Sequence, residues 1–514
     1  MKSLKEIVYI VTKNKLKAIE LLDTSKRSRV SAFYEKLANN ELETDEDALQ
    51  YFFPGAADKT PYRKLKASLR KKLINSLFFL DLKQPSYNDR QRAYYECHKE
   101  WGAAKILLGK NAWDACVEIC ERILKYALKY EFTEMALDLL RILRLHYSTR
   151  VGDLKRFEEY KQAHQLYEAM FIAENKAEQY YCELVIPYVN NRSTKEGQQL
   201  LALEYYSALR PLMEKYDSYR LHLYGSMIRL MTYTIVNDYR NALSVCDDVI
   251  AFFEAKPYDA HTPLLAAYYQ KLVSYTQLRE FPQGKLAAQK CLGLVEEGAV
   301  NWFRYYELYF ILAMFTGQYQ DAYEIYCGVS AHPRFAYLPS NDREIWAIYE
   351  AYQHYLADIG RIRPAKQEKR FSKFRLGRFL NQTPIFSKDK RGMNVAILAI
   401  QALFLIQQKK YNRAIDRLEA IEKYCNRYLH KNDTIRSYYF IKMLLAIPQA
   451  NFHRQGVVRH AAAYLEKLQS VPLESAQQSA KIEIVPYERL WEFALDSLEE
   501  KVYTGRNTPR FTPP

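Results

Sequence analysis

The chain has 514 residues, of which 49% are hydrophobic and 26% charged, an ordinary composition for a folded protein that argues against long disordered regions. With only 16 Gly and 18 Pro, it has too few turn-forming residues for a fold of many short strands. No apolar run approaches the roughly 20 residues that span a bilayer, and the apolar run at residues 7–11 is too short for a secretory signal. These features predict an all-α, cytoplasmic protein without a transmembrane segment.

Positive charge is concentrated in two short segments. The formal net charge is +15, from 75 basic and 60 acidic residues. Residues 59–72 contain seven basic residues and no acid, and residues 361–391 contain eleven basic and two acidic residues. These two segments account for the whole surplus, so the rest of the chain is close to neutral. A local concentration of one sign attracts a partner of the opposite sign.

Residues 1–90 are expected to form a small N-terminal helical module. Thr44 precedes three acidic residues and is a suitable N-cap for a short helix. Pro54 and Gly55 would end that helix, and Pro61 would open a long one over residues 62–82. A short helix, a turn and a basic helix give a helix-turn-helix outline. The alternative is a capping bundle whose basic face is simply solvated.

The long basic helix supplies the first candidate site residues. Its apolar residues share one face, and five basic residues lie off that face: Arg63, Lys64, Lys66, Arg70 and Lys71. Cations in this arrangement would contact the phosphates of a nucleic acid or another polyanion.

A recurring pattern follows, in which an aromatic residue opens a helix and a small residue stands three positions later. It occurs at Tyr239 and Ala242, Phe281 and Gly284, Tyr319 and Ala322, and Tyr411 and Ala414. Successive openings are 42, 38 and 92 residues apart, and the last gap equals two steps of 46. Openings at Trp113 and Phe157 fit more loosely. Because a small residue lets two helices approach closely, we expect Ala242, Ala322 and Ala414 to be buried at helix crossings.

The segment from Tyr305 to Tyr326, in which Gly317 precedes the aromatic–small opening, resembles a tetratricopeptide (TPR) repeat across one unit. The TPR-like resemblance covers roughly residues 90–500, with longer helices than the standard motif. It implies an α-solenoid of stacked antiparallel helix pairs that winds into a right-handed superhelix. We place these repeats at residues 91–360 and 392–502, and expect a flexible tail over residues 503–514.

The basic segment 361–391 interrupts the repeats where one opening is missing, and it is expected to be a connector or inserted loop. Basic residues alternate there with phenylalanines, as they do in proteins that bind phosphates with cations and bases with rings. The candidate polyanion contacts are Lys369, Arg370, Lys373, Arg375 and Arg378, and the candidate stacking residues are Phe371 and Phe374. A membrane-surface helix, or an amphipathic helix docked on the solenoid, would use the same residue types.

Signatures of catalysis are absent from the sequence. No G-x-G-x-x-G, H-E-x-x-H or G-x-S-x-G motif occurs. The eight Cys lack a C-x-x-C pair, and the ten His are dispersed. We therefore expect no enzymatic activity, no catalytic residue, no cofactor and no metal site.

Two functional hypotheses remain. The first is a scaffold or adaptor that binds a protein or peptide partner on its solenoid surface, since stacked repeats form extended binding surfaces. The second is a nucleic-acid-linked regulator that contacts DNA or RNA through the two basic segments. Salt-dependent binding to nucleic acid would distinguish the second hypothesis from the first.

Overall fold

The computed structural model is built from α-helices, as the composition predicts. It describes residues 1, 4–5, 8, 28–39, 41–55, 58–79, 82, 87–190, 195–364, 377, 379, 393–428, 435–471 and 483–500. Across these ranges there are 20 α-helices and no β-strand. None of the described helices combines the length and apolar character that crossing a membrane requires.

The chain divides into two compact units, residues 1–175 with 257–259, and residues 176–256 with 260–514. The first unit contains α1 (Arg29–Ala38), α2 (Asp45–Phe52), α3 (Thr60–Ser76), α4 (Asp89–Gly109), α5 (Trp113–Lys129) and α6 (Thr133–His146). Helix α7 (Leu154–Asn190) continues from the first unit into the second. The domain boundaries predicted at residues 90, 360 and 391 were placed from the helical repeat pattern of the sequence. The division into these two units does not test them, and they stay predictions.

The second unit contains the remaining helices, most of which pack against the helix that precedes or follows them. They are α8 (Lys195–Lys215), α9 (Tyr219–Thr234), α10 (Tyr239–Glu254), α11 (His261–Leu278), α12 (Phe281–Gly293), α13 (Val300–Phe315) and α14 (Tyr319–Ala331). After these come α15 (Ser340–Asp358), α16 (Met393–Gln407), α17 (Tyr411–Tyr428), α18 (Ile435–Gln449), α19 (Arg454–Gln469) and α20 (Tyr487–Asp496). After the basic segment, α16 and α17 pack against one another as a helical hairpin.

Five pairs of successive helices, one in the first unit and four in the second, are joined by the same turn geometry. In each, a residue with positive φ stands two positions before the opening aromatic: Asn111, Asn237, Arg279, Gly317 and Lys409. The backbone N–H of this residue and that of the next residue donate to carbonyls in the last turn of the first helix, as at Asn237→Thr234 (3.2 Å) and Asp238→Tyr233 (3.0 Å). This Schellman arrangement ends the first helix and lets the second begin after a single extra residue.

The predicted helix openings are confirmed at five positions and wrong at one. Trp113, Tyr239, Phe281, Tyr319 and Tyr411 are each the first residue of a helix. Phe157 instead lies inside α7, because Gly152 adopts the left-handed conformation (φ 72°) and the helix already begins at Leu154. The same two-residue spacing therefore operates there without an aromatic residue.

Small residues mark the close approaches between helices, as expected. Ala242, Ala322 and Ala414 are each fully buried. At Gly284 an added Cβ would lie 2.5 Å from Leu312 and 3.2 Å from the Cβ of Tyr275. Since these neighbours belong to α13 and α11, glycine is required for α12 to sit this close to both helices.

Candidate functional site

The N-terminal module presents α3 with its apolar face inward. The predicted N-cap is confirmed, because the Thr44 hydroxyl accepts from Asp47 N while the Asp47 carboxylate accepts from Thr44 N. Helix α3 is shorter than predicted: it ends at Ser76, and a 3₁₀ turn follows over Leu77–Phe79. A small core of buried side chains holds it: Phe33, Leu37, Ala48, Tyr62, Leu65, Leu69 and Leu73. The opposite face of α3 is therefore left to solvent.

Four of the five predicted cations of α3 are exposed: Lys64 and Lys71 lie opposite the buried face, and Arg63 and Arg70 lie to one side of it. The side chains of Arg63, Lys64, Arg70 and Lys71 are exposed, and none of them forms an ion pair with a described residue. Arg63 and Arg70 are seven residues apart, as are Lys64 and Lys71, which corresponds to about 10.5 Å along a helix axis. We refer to these four residues as the α3 basic face. Of the four, Arg63 lies close enough to Asp58 to help lower the pKa of that carboxyl.

Lys66, the fifth predicted cation, occupies a different environment. Its Nζ lies 2.6 Å from the carboxylate of Asp45, which also accepts a hydrogen bond from the Tyr62 hydroxyl and lies 3.1 Å from the amino group of Met1. Burial opposes the charge on Asp45, but the hydrogen bonds from Lys66 and Tyr62 outweigh it and lower the pKa of the carboxyl to about 2. Lys66 therefore holds α3 to α2, and its charge is already compensated.

The predicted contribution of the basic connector cannot be placed beside this face. Lys369, Arg370, Phe371, Lys373, Phe374, Arg375 and Arg378 all lie outside the described residues. Their predicted polyanion and stacking contacts stay a prediction.

A second surface, which the sequence did not single out, is formed by rings on α4. Tyr94, His98 and Trp101 are spaced four and three residues apart, so they lie along one side of the helix. The ring centroids of Tyr94 and His98 are 4.0 Å apart, and those of His98 and Trp101 are 5.7 Å apart. The ring centroid of Tyr95 lies 5.7 Å from that of Tyr94 and 5.5 Å from that of Tyr87, which precedes α4. We call these five residues the aromatic row.

The aromatic row is only partly covered by the rest of the protein. Tyr94 and Tyr95 each retain 43% of their surface exposed to solvent. Ala93 and Cys97, on the side of α4 adjacent to Tyr94 and Trp101, are buried. Large rings that are held in place and half exposed are the residue types that contribute most to protein–protein binding.

Asp138 of α6 fixes the far end of the row. One of its carboxylate oxygens accepts from Trp101 Nε1 and Lys105 Nζ, both at 2.8 Å, and the other accepts from Arg141 at 2.8 Å. Burial works against the charged form, but these hydrogen bonds dominate and lower the pKa of the Asp138 carboxyl. Asp138 therefore stays ionised at neutral pH and holds Trp101 in a single orientation.

Arg90 and Phe132 fix the near end. The Phe132 ring meets Tyr94 edge-on at 5.5 Å, and the Arg90 guanidinium lies 5.1 Å from the centroid of Phe132. Arg90 Nε also donates to the Tyr130 carbonyl at 3.1 Å. Cation–π contact and hydrogen bond together tie the start of α4 to the loop before α6. The row is thus preorganised at both ends, which lowers the entropy lost when a partner binds.

Several described cysteines are buried in the apolar interior. Burial raises the pKa of the Cys97, Cys246 and Cys291 thiols to about 12. Cys116 and Cys120 are buried with their sulfurs 3.9 Å apart, and burial also raises the pKa of Cys120. The Cys97, Cys120, Cys246 and Cys291 thiols therefore remain protonated at neutral pH and act as small apolar side chains. In the described part of the chain, no group of three or more His, Cys, Asp or Glu is arranged to hold a metal ion.

Comparison with known proteins gives no match: no family model, no curated protein and no solved structure is similar to this chain. Its function must therefore be inferred from its own residues.

Proposed function

We propose that the chain is a non-catalytic, TPR-like scaffold that binds a protein or peptide partner through the aromatic row of α4. The observation that carries the proposal is the row itself, with Tyr94 and Tyr95 half exposed between the fixed residues Phe132 and Trp101. Tyrosines anchored in this way give large contact area with little loss of side-chain entropy. The repeated hairpin turns supply the rigid support that such a surface needs.

Site-specific crosslinking tests this proposal. A photoreactive phenylalanine analogue at position 95 should capture a specific partner in cells of the source organism, and Tyr94→Ala should reduce the yield. Loss of a central aromatic contact typically weakens an interface by about 2 kcal/mol or more. When the partner is below its saturating concentration, the crosslinking yield should therefore fall severalfold.

The matched control is the same analogue at Tyr126, an exposed tyrosine on the neighbouring helix α5. Position 126 should give no specific product. Equal capture at positions 95 and 126, or capture at 95 that Tyr94→Ala leaves unchanged, would contradict the proposal.

A second candidate function, polyanion binding, is favoured by the α3 basic face. Four exposed cations without described ion-pair partners remain available for phosphates. Binding of labelled DNA and RNA should weaken steeply with salt, because each neutralised phosphate contributes about one unit to the logarithmic salt slope.

Charge reversal separates this function from a solvated surface. Replacing Arg63, Lys64, Arg70 and Lys71 by Glu should abolish binding at low salt. A control variant that reverses four other exposed lysines of the same unit, Lys99, Lys110, Lys125 and Lys155, has the same net charge and should retain binding. If both variants bind alike, the α3 basic face has no specific role.

A further inference from the structure

A polar cavity of about 210 Å³ opens in the second unit where three helices end. A single water needs about 10–15 Å³ of such space, so the cavity has room for a group of several heavy atoms. Its lining comprises Asp358, Ile359, Arg361, Gln407, Phe493, Asp496 and Ser497. Asp358, Gln407 and Asp496 are the last residues of α15, α16 and α20.

The lining of the cavity carries two carboxylates and one guanidinium, and a second guanidinium, that of Arg454, lies beside the lining at 3.4 Å from Asp496. In addition, the C-terminal end of each helix carries a partial negative charge. No hydrogen bond from a described residue reaches the backbone carbonyls of Asp358, Gln407 or Asp496, so these acceptors are still available.

One of the two carboxylates is already compensated. Asp496 lies 3.7 Å from Arg361 and 3.4 Å from Arg454, and the Arg361 guanidinium is 5.0 Å from the centroid of the Phe493 ring. The polar side chains beside it also have partners, since the Ser497 hydroxyl donates to Gln407 Oε1. An anion would therefore meet no free cation here.

Asp358 is the uncompensated group. Its carboxylate has no ion pair or hydrogen bond with any described residue, and burial by the surrounding protein raises its pKa even though solvent reaches the side chain. Nearby, the fully buried Tyr355 hydroxyl makes no hydrogen bond of normal geometry among the described residues and lies beside Ser497 and Asp496. Tyr355 does not line the cavity, so the group that a cationic ligand with several donors would meet is the Asp358 carboxylate.

We propose that this cavity binds the guanidinium group of an arginine side chain from a polypeptide partner. A guanidinium has five donors in one plane, so it can pair with Asp358 while it donates to carbonyls at the helix ends. An ammonium group is a more strongly hydrated point charge and fits this distribution of acceptors less well. The inference rests on the proposed scaffold function only in assigning the arginine to a partner polypeptide.

The test uses N-acetyl-arginine methylamide as the probe and saturation-transfer NMR on the full chain. The uncharged N-acetyl-citrulline methylamide has nearly the same shape and serves as the reference ligand. We expect the arginine probe to bind at least about tenfold more tightly, because charge-assisted hydrogen bonds are roughly twice as strong as neutral ones. Asp358→Asn should remove this preference, and Asp342→Asn, in the first turn of the same helix α15, should keep it.

Three results would overturn the inference: no binding of the arginine probe, equal binding of the two probes, or an unchanged preference in Asp358→Asn. Circular dichroism of each variant confirms that it remains folded. The outcome is independent of the crosslinking experiment on α4. Partner capture at position 95 without arginine binding refutes the cavity assignment alone, whereas arginine binding without partner capture refutes the role of the aromatic row alone.

Discussion

The N-terminal module and the C-terminal helices are each held together by one charged residue with several partners, but the two residues differ in burial. In the module, Asp45 joins α2 to α3, and its side chain is 40% exposed. In the C-terminal helices, Arg436 of α18 is fully buried, as is its partner Glu483. The N-terminal module therefore has its ion-pair cluster at the solvent-exposed surface, whereas the C-terminal helices have theirs in the protein interior.

All three guanidinium nitrogens of Arg436 donate hydrogen bonds. It forms a bidentate pair with Glu483 at 2.7 and 3.0 Å and contacts Glu488 at 2.8 Å. It also donates to the carbonyls of Leu468 and Val471, at 3.3 and 2.6 Å, where α19 ends. Because these partners come from three chain segments, one side chain fixes how α18, α19 and α20 meet.

From the difference in burial between the two regions we predict that burial, more than the number of contacts, sets the free energy of unfolding that depends on such a residue. An exposed charge that loses its partner is solvated again by water. A buried charge that loses its partner stays in a low-dielectric environment, and the folded state pays the full desolvation cost. The predictions below test this contrast.

The largest effect is expected from Arg436→Met. It leaves Glu483 buried without a counter-charge, and breaking a buried ion pair in this way costs about 3–5 kcal/mol. Hydrogen exchange of the amides in α18, followed by mass spectrometry, measures the loss locally, since a chain of this size need not unfold in one step. The control Arg489→Met removes an exposed pair with Glu492 and should cost less than about 0.5 kcal/mol.

The same variant has a characteristic pH dependence. Burial raises the pKa of Glu483, and the hydrogen bonds from Arg436 oppose that rise. Without Arg436 the carboxyl should hold its proton at a pH where the unfolded chain has lost it, so the folded state binds more protons and stability falls as pH rises. The loss relative to wild type should be larger at pH 8 than at pH 5. A loss that is independent of pH would show that the charge on Glu483 is not responsible.

A smaller effect is expected from Ala322→Trp, which tests packing in the same C-terminal part of the chain. Ala322 is fully buried on α14, and overpacking a close helix contact costs about 1–3 kcal/mol. The melting temperature should fall by several degrees. Ala208→Trp, at an exposed position on α8, makes the same change in helix propensity and should leave the melting temperature nearly unchanged. Equal effects at the two positions would contradict the repeat register.

The packing at Ala322 was predictable from sequence because it depends on local, repeated signals. An opening aromatic followed by a small residue three positions later located five helix starts and three buried alanines. The predicted opening at Phe157 was wrong because the left-handed Gly152 had already set the start of α7. Helix α3 ended earlier than predicted because its apolar periodicity continued into a 3₁₀ turn.

The tertiary sites were not predictable in the same way. Arg436 and Glu483 are 47 residues apart, and the cavity joins residues 358, 407 and 496, so only the fold brings them together. An arginine in the first turn of the largely apolar helix α18 was a usable signal for a buried charge. On α3 the sequence could not show that Lys66 is paired with Asp45, and the predicted polyanion contacts of the α3 basic face stay a prediction.

The smallest effect is expected from Asp45→Asn, which breaks the exposed counterpart of the Arg436 cluster. The loss should be about 1 kcal/mol or less, because water screens the pair and solvates Lys66 once it is released. Exchange of the α3 amides at neutral pH measures it. The pKa of the Asp45 carboxyl, about 2 when folded, lies below its ordinary value of 3.8. The wild-type advantage should therefore be complete above about pH 5 and disappear as pH falls through 2, where the carboxyl is protonated. Asp89→Asn removes an exposed pair with Arg92 and is the matched control. A loss at Asp45 as large as that at Arg436 would show that burial does not govern the difference between the two regions.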